Sequence, residues 1–141
     1  MYQSIIFPID IGSIESYEEN FAVAKVFSNP SITKWILIYV DEYSSGFNFD
    51  YPAPYLRPDP RKDLIQTLNR FADKIDYPRN QIETIVRSGV VMNEILNYAS
   101  QASADLIIIS RCWPTWTSLF FGPLAANLAK DASIPVLVIP T

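Results

Sequence analysis

Apolar runs of strand length alternate along this chain with amphipathic stretches of helix length. The strand candidates are Ser4 to Ile9, Lys34 to Val40, Ile82 to Val86, Asp105 to Ile109 and Val136 to Ile139. Several are apolar at every position rather than at alternate ones, which a sheet covered by helices on both faces requires. Between them, Tyr17, Phe21, Ala24 and Phe27 fall on one helical face, and Ser16 with Glu19 forms a capping-box pattern, so the first helix is expected from about Ser16 to Phe27. Leu64, Leu68, Phe71, Ala72 and Ile75 make a second stripe after Pro60, and Ile95, Leu96, Ala99 and Ala102 a third. A fourth helix is expected from about Pro123 to Asp131, with Leu124, Leu128 and Ala132 facing inward and Pro135 stopping it. Strands alternating with helices in this way predict an α/β domain with a parallel sheet.

One connection breaks the rhythm. Tyr43 to Asp59 carries Pro52, Pro54 and Pro58 among Phe47, Phe49, Tyr51 and Tyr55, a composition that does not propagate regular structure. Long connections of this kind serve as lids or interaction loops, or pack their own aromatics back on the body. A protein partner at this loop and a purely structural loop are both open readings.

Composition narrows the chemistry. The chain's 141 residues are 49% hydrophobic, enough for one domain spanning 1–141 with a core that needs neither metals nor disulfides. There is no histidine, which removes serine–histidine–acid triads, cysteine–histidine pairs and the usual zinc sets. No protein-held metal site is expected; magnesium would enter only through a ligand's phosphates. The single cysteine, Cys112, cannot form an internal disulfide and suits a reducing, cytoplasmic setting; beside Arg111, its thiol has no resolving partner for redox work. Eleven basic against 15 acidic residues, a net charge of -4, argue against binding duplex nucleic acid. The opening Met1 to Pro8 has no basic region, and no apolar run is long enough to span a membrane.

In an open parallel sheet, ligands bind outside the carboxyl ends of strands where the winding reverses. After the first strand comes Asp10, the first carboxylate beyond the apolar run, which can either accept from a base or sugar or orient the turn through backbone amides. After the fourth comes Ser110-Arg111-Cys112-Trp113-Pro114-Thr115-Trp116-Thr117-Ser118, leading to Gly122-Pro123-Leu124. Hydroxyls and one guanidinium running into a helix start can cradle phosphate, or the two tryptophans can pack on a neighbour. Without a partnered base, Asp10 alone is no hydrolytic mechanism, and a phospho-acceptor receiver lacks its acidic cluster here.

These segments resemble the universal stress protein superfamily along nearly the whole chain. The resemblance is carried by Ile5 to Asp10, Leu37 to Asp41, Val86-Arg87-Ser88-Gly89 with Glu94-Ile95-Leu96, Ala104 to Ser110, and Gly122 to Pro140. The proline-rich loop and the short Ser110 to Gly122 spacing look most like the small bacterial single-domain F and G types. The resemblance implies a five-stranded parallel open sheet of order 3-2-1-4-5, adenine nucleotide alpha hydrolase-like, with ATP or AMP between strands one and four. It implies adenine and ribose contacts at Pro8, Ile9, Asp10 and Val40, with the family's phosphate-loop positions falling on Ser110, Trp113, Gly122 and Pro123; Ile109, Arg111 and Leu124 complete the expected nucleotide site.

The family's phosphate loop runs glycine, two residues, glycine, nine residues, glycine, then a hydroxyl. Here Ser110 and Trp113 stand at the first two glycines, Pro123 at the hydroxyl, and the spacing is one residue short. Losing two or three charge-assisted hydrogen bonds of roughly 1.5–3 kcal/mol each weakens phosphate binding by several decades unless Arg111 replaces them. The readings are therefore a dimeric stress-response regulator with a degenerate nucleotide site and at most very slow ATP hydrolysis, or a dimeric interaction module of the same fold. Dimerisation has its own argument: Val136-Leu137-Val138-Ile139 stops two residues before Thr141, so no following helix is expected to cover its edge, which either pairs with a second copy or is covered by a loop. The resemblance implies the same homodimer.

Overall fold

Residues 2–41, 60–110 and 127–139 are described by a computed structural model of the chain. They build β1 (Ser4–Pro8), α1 (Ile14–Ala24), β2 (Lys34–Asp41), α2 (Pro60–Lys74), β3 (Ile82–Ser88), α3 (Val91–Gln101), β4 (Leu106–Ser110) and β5 (Val136–Ile139). Residues 127–131, just before β5, are also helical. The strands form one sheet in the order β3-β2-β1-β4-β5, with every adjoining pair parallel.

The two faces of the sheet separate by strand alternation. Ile5, Phe7, Trp35, Leu37, Leu106 and Ile108 face one way, where Tyr17, Phe21 and Ala24 of α1 and Leu68, Phe71 and Ala72 of α2 cover them. Ile6, Ile36, Ile38, Ile107 and Ile109 face the other, under Ile95 and Ala99 of α3 and Leu128. Both faces are dry, which is why these strands read as unbroken apolar runs.

The first helix departs from its expected boundaries. It begins at Ile14, after a 3-10 turn over Ile11–Ser13, and the cap of that turn is Asp10; Ser13 makes no side-chain cap bond to the helix. Ser16 lies inside the helix, so Ser16 and Glu19 do not form the expected capping box. At the other end the chain tightens into a second 3-10 turn, Lys25–Phe27, and Phe27 is left exposed rather than on the buried stripe. The third helix starts at Val91, a turn before its apolar stripe. Of the fourth, Leu128 is buried as expected, while Pro123 and Leu124 lie outside the described residues.

The amino ends of the strands are laced together. The Asp105 carboxylate accepts from the backbone N–H of Gln3 at 2.8 Å and of Ser4 at 2.9 Å, tying β1 to β4. Thr33, fully buried before β2, donates its hydroxyl to the Tyr2 carbonyl and accepts from the Asn29 N–H, while the Tyr77 hydroxyl donates to the Thr33 carbonyl. The carboxyl ends part instead. β1 pairs with β2 at five positions but with β4 at only two, Ile5↔Leu106 and Ile6↔Ile107, so the strands diverge toward their carboxyl ends.

Candidate functional site

This divergence lies where the winding reverses. The chain moves outward from β1 through β2 to β3, then crosses back to place β4 on the far side of β1. In open parallel sheets the helices on either side of such a point run away from it in opposite directions, and ligand sites form there.

Asp10 stands at this point. Pro8, with no N–H to donate, closes β1; Ile9 still follows β2, its N–H donating to the Ile38 carbonyl at 2.8 Å. The chain then turns, and the Asp10 carboxylate closes the turn by accepting from the Gly12 N–H at 3.2 Å through Oδ1. The Asp10 carbonyl accepts from the Ser13 N–H. Asp10 is only 8% exposed, and its Oδ2 has no hydrogen-bond partner among the described residues. Burial pushes the carboxyl above the usual carboxylate range, opposed by the Gly12 N–H. Of the two sequence readings of Asp10, the structure shows the turn-orienting one, through Oδ1; Oδ2 is buried without a partner among the described residues.

Ile9, Val40 and Ile109 are buried apolar residues at this end of the sheet, and Ser110, fully buried, is the last residue of β4. The structure thus brings Pro8, Ile9, Asp10, Val40, Ile109 and Ser110 to one end of the sheet. Arg111, Trp113, Gly122, Pro123 and Leu124 lie outside the described residues, as do Cys112 and the Tyr43 to Asp59 loop. Among the described residues no group of three acidic, cysteine or histidine side chains is placed to hold a metal, and no helix is long and apolar enough to cross a membrane.

The sequence reading assigned no site role to Asp41. It closes β2 as Asp10 follows β1, is equally buried, and its carbonyl accepts from the Gly89 N–H at 3.3 Å. The signal that found Asp10, the first carboxylate after an apolar run, was equally present here. Gly89 turns β3 into α3 at φ +141°, a conformation closed to ordinary side chains, with Glu94 packed over it.

Two other depressions open at the amino ends. One, of about 650 Å³, lies among Lys25, Val26, Pro30, Ile75 and Tyr77; the other, about 240 Å³, lies among Leu96, Ser103, Asp131 and Ile134. Neither holds a buried charged side chain.

The family model described as "Universal stress protein family" matches residues 1–140. Universal stress protein G of Shigella flexneri is 22% identical over 99% of this chain and 99% of its own. Among solved structures, the protein MJ0577 superposes with a TM-score of 0.74 at 18% identity, covering 100% of this chain and 97% of that one. A universal stress protein solved in complex with cAMP superposes at 0.59 and 17% identity, covering 98% and 96%.

Proposed function

Because this chain belongs to the universal stress protein family, we propose that it is a homodimeric stress-response regulator that binds an adenine nucleotide between the carboxyl ends of β1 and β4. The observation that carries this reading is Asp10: a buried carboxylate with one oxygen tied to Gly12 and the other without a partner among the described residues. A buried acceptor of this kind is costly unless a ligand supplies the donor, and ribose hydroxyls or an exocyclic amine do so. Ile9, Val40 and Ile109 are the apolar residues that this reading assigns to the base, at the same end of the sheet as Asp10. The family relative solved with cAMP supports an adenine nucleotide as the ligand class.

Phosphate is held less well than adenosine in this reading. Trp113 and Pro123 occupy sequence positions where the family pattern has glycine and a hydroxyl, leaving Ser110 and Arg111 to meet phosphate, with Mg2+ bound only through the phosphates. The same two residues, with the aromatic and proline-rich Tyr43 to Asp59 segment, favour the second reading, an interaction module that has lost its ligand.

Denaturing freshly purified protein and identifying the released nucleotide by chromatography and mass spectrometry, followed by ATP titration with magnesium, separates the two. AMP or ATP in near-stoichiometric amount would mean that Arg111 and the loop hydroxyls replace the lost phosphate contacts. No released nucleotide and no binding at on the order of a millimolar ATP would leave the interaction module.

The dimer is proposed through β5. Among the described residues this strand pairs only with β4, and Val138 is 37% exposed on it. An unpaired apolar edge is covered economically by its own copy across a two-fold axis. Light scattering is expected to give twice the 16.0 kDa chain mass, and Val138→Lys to return it toward one. A monomeric native protein removes the dimer.

A further inference from the structure

The nucleotide site's buried carboxylate also bears on how the site is regulated, on the premise that the adenosine reading holds. We infer that the site exchanges a proton for its ligand: Asp10 keeps its proton to higher pH in the free protein than in the complex, because an adenosine ligand whose hydroxyl donates to Oδ2 favours the ionised form, so occupancy rises with pH over that range.

The geometry carries the argument. Asp10 is 8% exposed, Oδ1 accepts from Gly12 at 3.2 Å, and Oδ2 lies buried with no partner among the described residues. An ionised carboxylate there has one hydrogen bond and little water, so burial pushes its pKa above the ordinary carboxylate range, opposed by the Gly12 N–H. A ligand hydroxyl donating to Oδ2 gives the charged form a second bond and lowers the pKa again. The proton leaves to solvent, and the ligand gains a charge-assisted hydrogen bond.

Among the described side chains, the charged groups that the surrounding elements carry at this end of the sheet are mostly acidic. They are Asp41 on β2, Glu15 in the first turn of α1, Lys62 and Asp63 at the start of α2, and Glu94 near the start of α3. Arg87 of β3 is engaged elsewhere, donating to Gln101 and lying over the Tyr98 ring. Ser110 closes β4 and does not titrate in this range. Glu42 and Arg111 adjoin β2 and β4 in sequence and lie outside the described residues.

Adenosine is the probe, because it carries no phosphate to titrate. Its association constant is expected to rise as pH is raised from the acid side, by at most about tenfold per pH unit, and to level off once Asp10 is ionised in the free protein. Calorimetry in two buffers of different ionisation heat should show close to one proton released per adenosine on the acid side of that range. Asp10→Asn, fixed in a neutral form, should bind weakly with no such slope.

Carboxyl NMR on the wild-type protein makes the same test without a variant: the Asp10 midpoint should move to lower pH in saturating adenosine. A flat profile, tighter binding at acid pH, a slope that survives in Asp10→Asn, or an unmoved midpoint overturns the exchange and leaves the nucleotide reading standing. Failure of adenosine and AMP to bind at any pH overturns both.

Discussion

Trp35→Ala is expected to destabilise the fold by about 3–5 kcal/mol, a large part of the roughly 5–15 kcal/mol available to a domain of this size. The indole is fully buried at the start of β2 and meets Phe21 edge-on at 4.8 Å, Phe7 at 5.9 Å and Tyr77 at 6.2 Å. These contacts join β1, α1 and the segment after α2, so the cavity left by alanine is walled by three pieces of backbone besides β2 itself. Such a site cannot collapse without moving the sheet, and the upper part of the range follows. Trp35→Phe should cost much less: it keeps a ring in place and removes Nε1, a buried donor with no partner among the described residues. Urea unfolding followed by far-ultraviolet circular dichroism measures both. A loss below about 1 kcal/mol for alanine would mean that the aromatic cluster does not organise this face.

Asp10→Ala is expected to weaken adenine nucleotide binding by about 10- to 150-fold at neutral pH, the equivalent of one charge-assisted hydrogen bond of roughly 1.5–3 kcal/mol. Stability should change far less than binding. The variant leaves the Gly12 N–H without its acceptor, but it also removes a carboxylate held in a dry position, and the two effects oppose each other. Equilibrium dialysis with labelled AMP, beside an unfolding curve on the same protein, reads both quantities. Unchanged affinity in a folded variant would move the ligand away from the β1–β4 cleft. Lost affinity with lost stability would make Asp10 a structural residue of the turn.

The strands were legible because a sheet covered on both faces writes its burial into consecutive residues. Leu106 to Ile109 and Trp35 to Val40 could hardly be anything else, and the observed strands differ from the expected ones by two residues at most. The start of the first helix was not legible. Ser16 and Glu19 have the spacing of a capping box, yet the chain leaves β1 in a direction that lets Asp10 close a 3-10 turn first, and the helix is under way before Ser16. Phe27 failed for a related reason: it keeps the helical period in sequence, but tightening at Lys25 changes the rotation per residue and leaves its ring exposed.

The candidate site divides in the same way. Asp10 is legible from its place after an apolar run, whereas the same signature at Asp41 does not mark a site, because nothing in one sequence says which strand will lie beside β1. Strand order came from the family resemblance, not from periodicity.

By itself the sequence determined the kinds of element and their succession, since the two-residue and 3.6-residue periods are local consequences of backbone geometry and burial. It also determined what chemistry is excluded, since a chain without histidine has no imidazole in any fold. The tertiary structure decided that β1 and β4 meet at their amino ends and part at their carboxyl ends, through contacts such as Ser4 with Asp105 that join residues 101 positions apart. It also decided that one oxygen of Asp10 is satisfied and the other is buried without a described partner. Burial is a property of everything packed around a group, and no local pattern carries it.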